Sequence, residues 1–312
     1  MTDQRTNVHE SLHPVLTNLE YVHIDLQKVQ EVGEKLANVN MHHWLTTAPF
    51  DLPQLPETQR IGSLFFLDAI SFSYWGEPKW EVEYNGSVYD GAYAMIASIG
   101  RALEKGTPLY DPNFIAHMRR EDLETLLRGN VEIPLLDQRL HILHEIGQRT
   151  CVDYHADFRY VMEKAKGNAV TLVDLLATSF PCFEDAVQFH SHTVYFRKRA
   201  QLLAADIAHV FGLDSVENLT ACADYKLPQV LRRYGILKYA PALEQKIRER
   251  KDILSRSREE VEIRATTIQA VELLKGVCNT HTSIQINDYL WLEGQRKLVT
   301  DEPYHRTRTT AY

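Results

Sequence analysis

Apolar residues recur three or four positions apart along most of this chain, the spacing of one face of an α-helix. Residues 10–45 carry it with Val22, Ile24, Leu26, Val29, Val32 and Leu36, and they read as helical. Pro53 and Pro56 mark a loop over 50–62. "SLFFLDAISFSYWG" (63–76) is a run of apolar and aromatic residues. The period then changes. In "KWEVEYNGSVYDG" (79–91), Trp80, Val82, Tyr84 and Val88 alternate with polar residues around Asn85-Gly86. That pattern predicts a β-hairpin closed by a two-residue turn.

After Gly91 the helical period returns and persists. It runs through "YAMIASIGRALEKG", "REDLETLLRG", "DQRLHILHEIGQRTCVDY" and "GNAVTLVDLLATSF". "SFPCFEDAVQFHSHTV" reads as a short helix and a turn. Further helices are expected at 197–211, with Leu203, Ile207, Val210 and Phe211 on one side, and at 259–277. Another lies in "ADYKLPQVLRRYG" (223–235), with Pro228 early and Gly235 as its stop. The charged run 244–264 is a solvated helix, a break and a helix start. The predicted fold is mainly α with one small β-hairpin. Without a repeat, a low-complexity tract or a clear boundary, 1–312 reads as one domain. Its sub-parts are 1–110, N-terminal helices plus hairpin, and 111–312, a helical part.

The 312 residues suffice for a large core, and 44% hydrophobic with 24% charged is an ordinary globular composition. No apolar run approaches the roughly 18 residues of a membrane span, and "MTDQRTNVHE" lacks a signal core. A cytoplasmic protein without a membrane partner is expected. Cys151, Cys182, Cys222 and Cys278 form no CxxC pair and read as reduced, buried small hydrophobes. The formal net charge is −8, from 34 Lys and Arg against 42 Asp and Glu, with no strongly basic block. A long nucleic acid needs basic surface to displace its counterions, so it is a disfavoured partner; a small phosphorylated ligand is not.

Candidate chemistry is sparse. There is no P-loop, dinucleotide-binding glycine motif, HExxH or GxSxG. His190 and His192, and His141 and His144, are paired, but no third ligand falls at a telling spacing. No metal and no cofactor are expected. Two other residues are more specific. Lys198 opens the helix in "YFRKRAQLLAADIAHVFG", and Asp224 stands at the head of the next one. If those helices pack antiparallel, both side chains face one cleft. Each also has a plainer reading: Lys198 as a solvated helix lysine, Asp224 as an N-cap worth about 1 kcal/mol. A cap also fixes a carboxylate in place, so the two readings of Asp224 are compatible.

This arrangement resembles the helix-hairpin-helix DNA glycosylases, in which an aspartate near a later arginine is essential. Asp224 matches that position, with Arg232 or Arg233 as the arginine. The glycine-rich hairpin that grips DNA is missing, since "FHSHTVYFRKRA" has no glycine. A closer resemblance runs from about residue 60 to the end. "LDAISFSYW", "YDGAYAMIASIGRALEKG", "SFPCFEDA", "FRKRAQLLAADI", "ADYKLPQVLRRYGILKY", "EEVEIRA", "DYLW" and "PYHRTR" are, in number and order, similar to the queuosine salvage family of queuosine 5′-phosphate N-glycosylases.

The resemblance implies a helix-hairpin-helix-like helical architecture. It also implies hydrolysis of queuosine 5′-monophosphate to queuine, a 7-deazaguanine base, and ribose 5-phosphate. The transition state then resembles an oxocarbenium ion. Asp224 is the candidate carboxylate to stabilise it and to orient or deprotonate water. Lys198 is the candidate cation for phosphate or ribose that keeps Asp224 ionised. Among Phe72, Tyr74 and Trp75, a strand pairs Phe72 with Tyr74 on one face and a helix pairs Phe72 with Trp75; Phe72 and Trp75 are the candidates to stack on the base. Asp68 is a candidate hydrogen-bond acceptor for the base edge, Glu262 and Asp288 are second choices, and Tyr225 lines the site. Each carboxylate has a structural alternative as the partner of an arginine such as Arg264. The "YHRTR" tail reaches the phosphate or is an exposed basic tail. The competing functions are a nucleic-acid base-excision glycosylase using the same aspartate and a non-catalytic queuine-binding protein. The spacing leaves the donor that protonates the leaving base, and the oligomeric state, open.

Overall fold

The computed structural model describes residues 7–312. The N-terminal segment folds as α1 (Asn7–Ser11), α2 (His13–Leu16), β1 (Val22–Ile24) and α3 (Leu26–Leu36). Next come α4 (Glu57–Ala69), the strands β2 (Glu81–Tyr84) and β3 (Ser87–Asp90), and α5 (Gly91–Glu104). Five helices follow: α6 (Pro112–Ala116), α7 (Arg120–Leu126), α8 (Leu136–Asp153), α9 (Arg159–Ala165) and α10 (Ala169–Ser179). Then β4 (Ala186–Phe189) and β5 (His192–Tyr195) lead into α11 (Lys198–Phe211) and α12 (Lys226–Arg233). The chain ends with β6 (Leu237–Tyr239), α13 (Pro241–Arg248), α14 (Arg258–Cys278), α15 (Ser283–Glu293) and an irregular tail.

The mainly α architecture matches the apolar period. The strands form only three antiparallel pairs among the described residues, β1–β6, β2–β3 and β4–β5. In the β2–β3 hairpin Asn85 and Gly86 both take left-handed φ values, 48° and 76°. Two consecutive positive φ angles are what a type I′ turn requires.

Three elements differ from expectation. Residues 10–45 are not continuously helical: Val22 and Ile24 belong to β1, which pairs with Tyr239 and Leu237 far along the chain. A three-residue strand whose partner lies so distant in sequence has no local signature. The segment 181–195 turns out as a second hairpin, β4–β5, with His190 at φ 52° in its turn. Lacking glycine, it carries no hairpin signal, yet it occupies the place where the DNA glycosylases hold their glycine-rich hairpin. Finally, α4 begins at Glu57, inside the expected loop. Every residue from Ile61 to Ala69 is buried, so the helix is covered on all sides and has no amphipathic period to read.

Two apolar cores result. The larger gathers α4, α5, α8, α10 and α11, with Leu64, Phe65, Phe66 and Leu67 of α4 fully buried inside it. The smaller joins β1, α3, α12, α13, α14 and α15. A cleft opens where they meet.

Candidate active site

The cleft encloses about 910 Å³, its open mouth included. One wall is the segment 71–75, which follows α4 and belongs to no helix or strand. Two buried arginines hold it. Arg139 of α8 donates to the carbonyls of Ile70 and Phe72, and its guanidinium lies 4.2 Å from the centre of the Phe72 ring. Arg199 of α11 donates to the carbonyls of Ala69 and Cys182. Burial depresses both guanidinium pKa values, that of Arg139 to about 10. Cationic donors on main-chain carbonyls fix a loop that no regular ladder holds. Because the segment is irregular, neither the strand nor the helix pairing applies, and Phe72, Tyr74 and Trp75 all face the cleft.

Asp224 sits on the cleft floor, 8% exposed. Its Oδ1 accepts from the backbone N–H of Lys226 at 2.7 Å and of Leu227 at 3.1 Å, so it caps α12 while lining the cavity. Burial raises its pKa; the Lys198 charge and the two amides pull the other way. Lys198 reaches the same cavity from the start of α11, 7% exposed, and donates to the Ser71 carbonyl at 3.2 Å. It makes no ion pair with Asp224; the two act on each other through space across the cleft.

A second buried pair ties these residues to one frame. Arg264 of α14 binds both oxygens of Asp185, at 2.9 and 2.5 Å, and donates to the Ala223 carbonyl at 3.3 Å. Asp185 in turn accepts from the Lys198 N–H at 3.2 Å. The residue before Asp224 and the backbone of Lys198 therefore hang from one bidentate bridge, the geometry in which arginine fixes direction as well as charge.

The other candidates separate. Asp288 of α15 lines the cleft, with Oδ1 accepting from Asn287 and Oδ2 from the Trp44 N–H. Burial pushes its pKa up to about 7. Tyr225 and Trp75 line the mouth with Tyr304 and Tyr312. Asp68 does not reach the cavity. It is fully buried on α4, beside Asp206 and behind Lys198, and burial raises both carboxyl pKa values. Glu262 lies outside the cleft as well: it accepts from the backbone N–H groups of Glu20, Tyr21 and Val22 and pairs with Arg258 at 2.9 Å. As a fully buried carboxylate it needs those donors, and they consume it. The arginine expected to pair with it, Arg264, is engaged with Asp185 instead.

The tail is neither free nor simply basic. Tyr304 and Tyr312 wall the cleft, and Arg308 stacks 3.9 Å from the centre of Trp75. Sequence reasoning passes over Trp44, Lys226, Asn287 and Tyr312, which also face the cavity, and the supporting Arg139 and Arg199. Lys226 stands two residues from Asp224 in the same motif, a usable signal. Trp44 sits in a short turn with none. Among the described residues, no group of three or more His, Cys, Asp or Glu is arranged to hold a metal ion, and no helix is long and apolar enough to cross a membrane.

The cleft is thus an aromatic slot above a capped, buried carboxylate with a lysine opposite, and known proteins share this sequence. The profile of the queuosine salvage protein family matches residues 53–312. A queuosine 5′-phosphate N-glycosylase/hydrolase of Sphaerobacter thermophilus is 44% identical over 259 residues, 80% of each chain. That of Mus musculus is 30% identical over 331 residues, covering 97% of this chain and 98% of its own. That of Bos taurus is 29% identical over 334 residues, with 97% and 98% covered. With most of its length matched by the family profile and by these relatives, this chain belongs to the queuosine salvage protein family.

Proposed function

We propose that the protein hydrolyses the N-glycosidic bond of queuosine 5′-phosphate, freeing the queuine base for salvage and leaving ribose 5-phosphate. The family, and relatives named for this activity, support an N-glycosylase/hydrolase. The single observation that carries the residue assignment is Asp224: a buried carboxylate, fixed by two backbone amides, on the floor of an aromatic-walled cleft.

The mechanism follows from charge. As the C1′–N bond breaks, positive charge grows on the ribose, and a carboxylate held beneath it is stabilising without any reorganisation. Water adds to C1′ and passes a proton to Asp224, while the departing base takes up a proton; the products are neutral queuine and ribose 5-phosphate. Lys198 biases Asp224 toward its ionised form against the burial that opposes it. Phe72, Tyr74 and Trp75 form the stacking slot. Asp288 and Asn287 offer hydrogen-bonding groups to the edge of the base, and Tyr225 closes the mouth. Asp68 acts behind Lys198 rather than on the substrate, and Glu262 has no part. The substrate is a mononucleotide rather than a nucleic acid, which the net charge of −8 supports, and no cofactor or metal enters the scheme. Four free cysteines support a cytoplasmic setting.

The test is Asp224→Asn, with free queuine released from queuosine 5′-phosphate read by mass. Asparagine still caps a helix, so the unfolding temperature stays near that of the wild type. Turnover drops by about a hundredfold or more. A variant that releases queuine at the wild-type rate overturns the assignment.

A further inference from the structure

Two lysines in the cleft stand without a carboxylate partner within ion-pair distance: Lys198 on the floor and Lys226 toward the mouth. Lys226 opens α12. Its N–H is spent on Asp224, but its side chain leads away from that cap, donating to the Gly294 carbonyl at 3.2 Å with the Tyr304 ring 5.5 Å away. It lines both the cleft and the groove that continues from it. At the rim, Lys79 and Lys297 both approach Asp90, each with its ammonium 3.2 Å from the same oxygen, Oδ2.

The remaining charges of the groove are matched. Glu77 takes Arg250 and Arg306, Asp301 takes Arg233, and Glu302 takes Arg248. That leaves three lysines around one aspartate, a local excess of two positive charges on a protein of net charge −8. A phosphate monoester carries between one and two negative charges at neutral pH. Helix α5 adds to the same rim: Gly91 and Ala92 line the cleft, and the Asp90 side chain, turned to the lysines, does not cap the helix. Burial, and the charges of Lys79 and Lys297, weaken Lys226's hold on its proton, while Asp90 and Asp224 oppose them. An incoming dianion relieves that repulsion, so its gain here exceeds that at an exposed lysine.

Resting on the function proposed above, we propose that Lys226, with Lys79 and Lys297 at the rim, is the subsite for the substrate's 5′-phosphate and sets the preference for nucleotide over nucleoside. Its position suits that task. Asp224 stands under the anomeric carbon, and the side chain two residues on reaches the other end of the same sugar.

The readout is a ratio: kcat/KM for queuosine 5′-phosphate divided by kcat/KM for queuosine. In Lys226→Met this ratio falls about ten- to a hundredfold, the worth of one charge-assisted contact. The double variant Lys79→Met/Lys297→Met lowers it less. Both lysines there are substantially exposed, so that variant folds and decides the question should Lys226→Met not fold. A ratio within about twofold of wild type in every folded variant overturns the subsite, because loss of structure alone lowers both activities together. Titration calorimetry with ribose 5-phosphate separates the two proposals. Binding to the wild type that is lost in the variants, in a protein that cleaves neither substrate, keeps the subsite and removes the hydrolase reading.

Discussion

Asp288 is a carboxyl that folding makes reluctant to ionise. It is 3% exposed, its oxygens accept from Asn287 and the Trp44 N–H, and His43 Nε2 lies 3.7 Å from Oδ2. Burial lifts its pKa from the ordinary 3.8 to about 7. The folded protein therefore binds this proton more tightly than the unfolded chain does. Stability is lost as pH rises from about 4 to about 7 and is level above that, with about 4 kcal/mol as the upper bound for one such group. In Asp288→Asn that loss is absent. Urea midpoints at pH 5 and pH 8 then converge in the variant relative to the wild type; an equal drop in both proteins shows that Asp288 is not the titrating group. Asp68 and Asp206 shift in the same direction, which is why the comparison uses the difference between the two proteins. At this scale much of the site was legible. Asp224, Lys198, Phe72, Trp75, Tyr225 and Asp288 all face one cavity, because each sits in a short motif at the edge of an element. Glu262 and Asp68 do not, because a carboxylate in a motif looks the same whether it meets a ligand or three backbone amides. The arginines at 139 and 199 were illegible for a related reason: an arginine in a helical pattern reads as a surface residue, and only the irregular segment after α4 gives it carbonyls to hold.

Elements in this fold are set by how closely backbones approach, and α3 against α14 is the clearest case. A Cβ placed on Gly33 would stand 2.6 Å from both Cβ and Cγ1 of Val277. Val277 is β-branched and has little rotamer freedom in a helix, so the helices themselves must separate. Gly33→Ala should cost about 1–3 kcal/mol by overpacking, less the up to ~1 kcal/mol that alanine returns in helix propensity. Chemical denaturation measures it, and an unchanged or raised midpoint shows that the crossing can relax. The contact matters to the site because α14 also carries Arg264, whose bridge to Asp185 suspends Lys198 and Ala223. The elements that sequence could place were those with their own period, such as α11, α14 and the Asn85-Gly86 hairpin. Those it missed draw their stability from elsewhere: β1 from β6, α4 from burial on every side.

The cleft belongs to the whole molecule rather than to any part of it. Its walls come from the segment after α4, the starts of α5, α11 and α12, helix α15, and the last residues of the described chain. The tail closes it. The Ser73 N–H donates to the Tyr312 carbonyl at 2.8 Å, the Tyr312 side chain is 1% exposed, and His305 meets its hydroxyl at 3.1 Å. A site built from segments this far apart exists only when both cores are formed and docked, so ligand binding and global folding are linked. A ligand that binds the folded state alone then raises the unfolding temperature with its concentration. Queuine should do so in the intact chain, since the slot that receives it includes Trp75 and Tyr225, which pack on Tyr312. Removal of residues 303–312 opens that side of the slot, exposes the two rings and frees the 71–75 segment from its tail contacts. Thermal scans of the truncated protein with and without queuine should then coincide, and turnover of queuosine 5′-phosphate should fall with the lost shift. A truncated chain that still shows the full queuine-dependent shift would place the base elsewhere in the cleft and detach the tail from recognition.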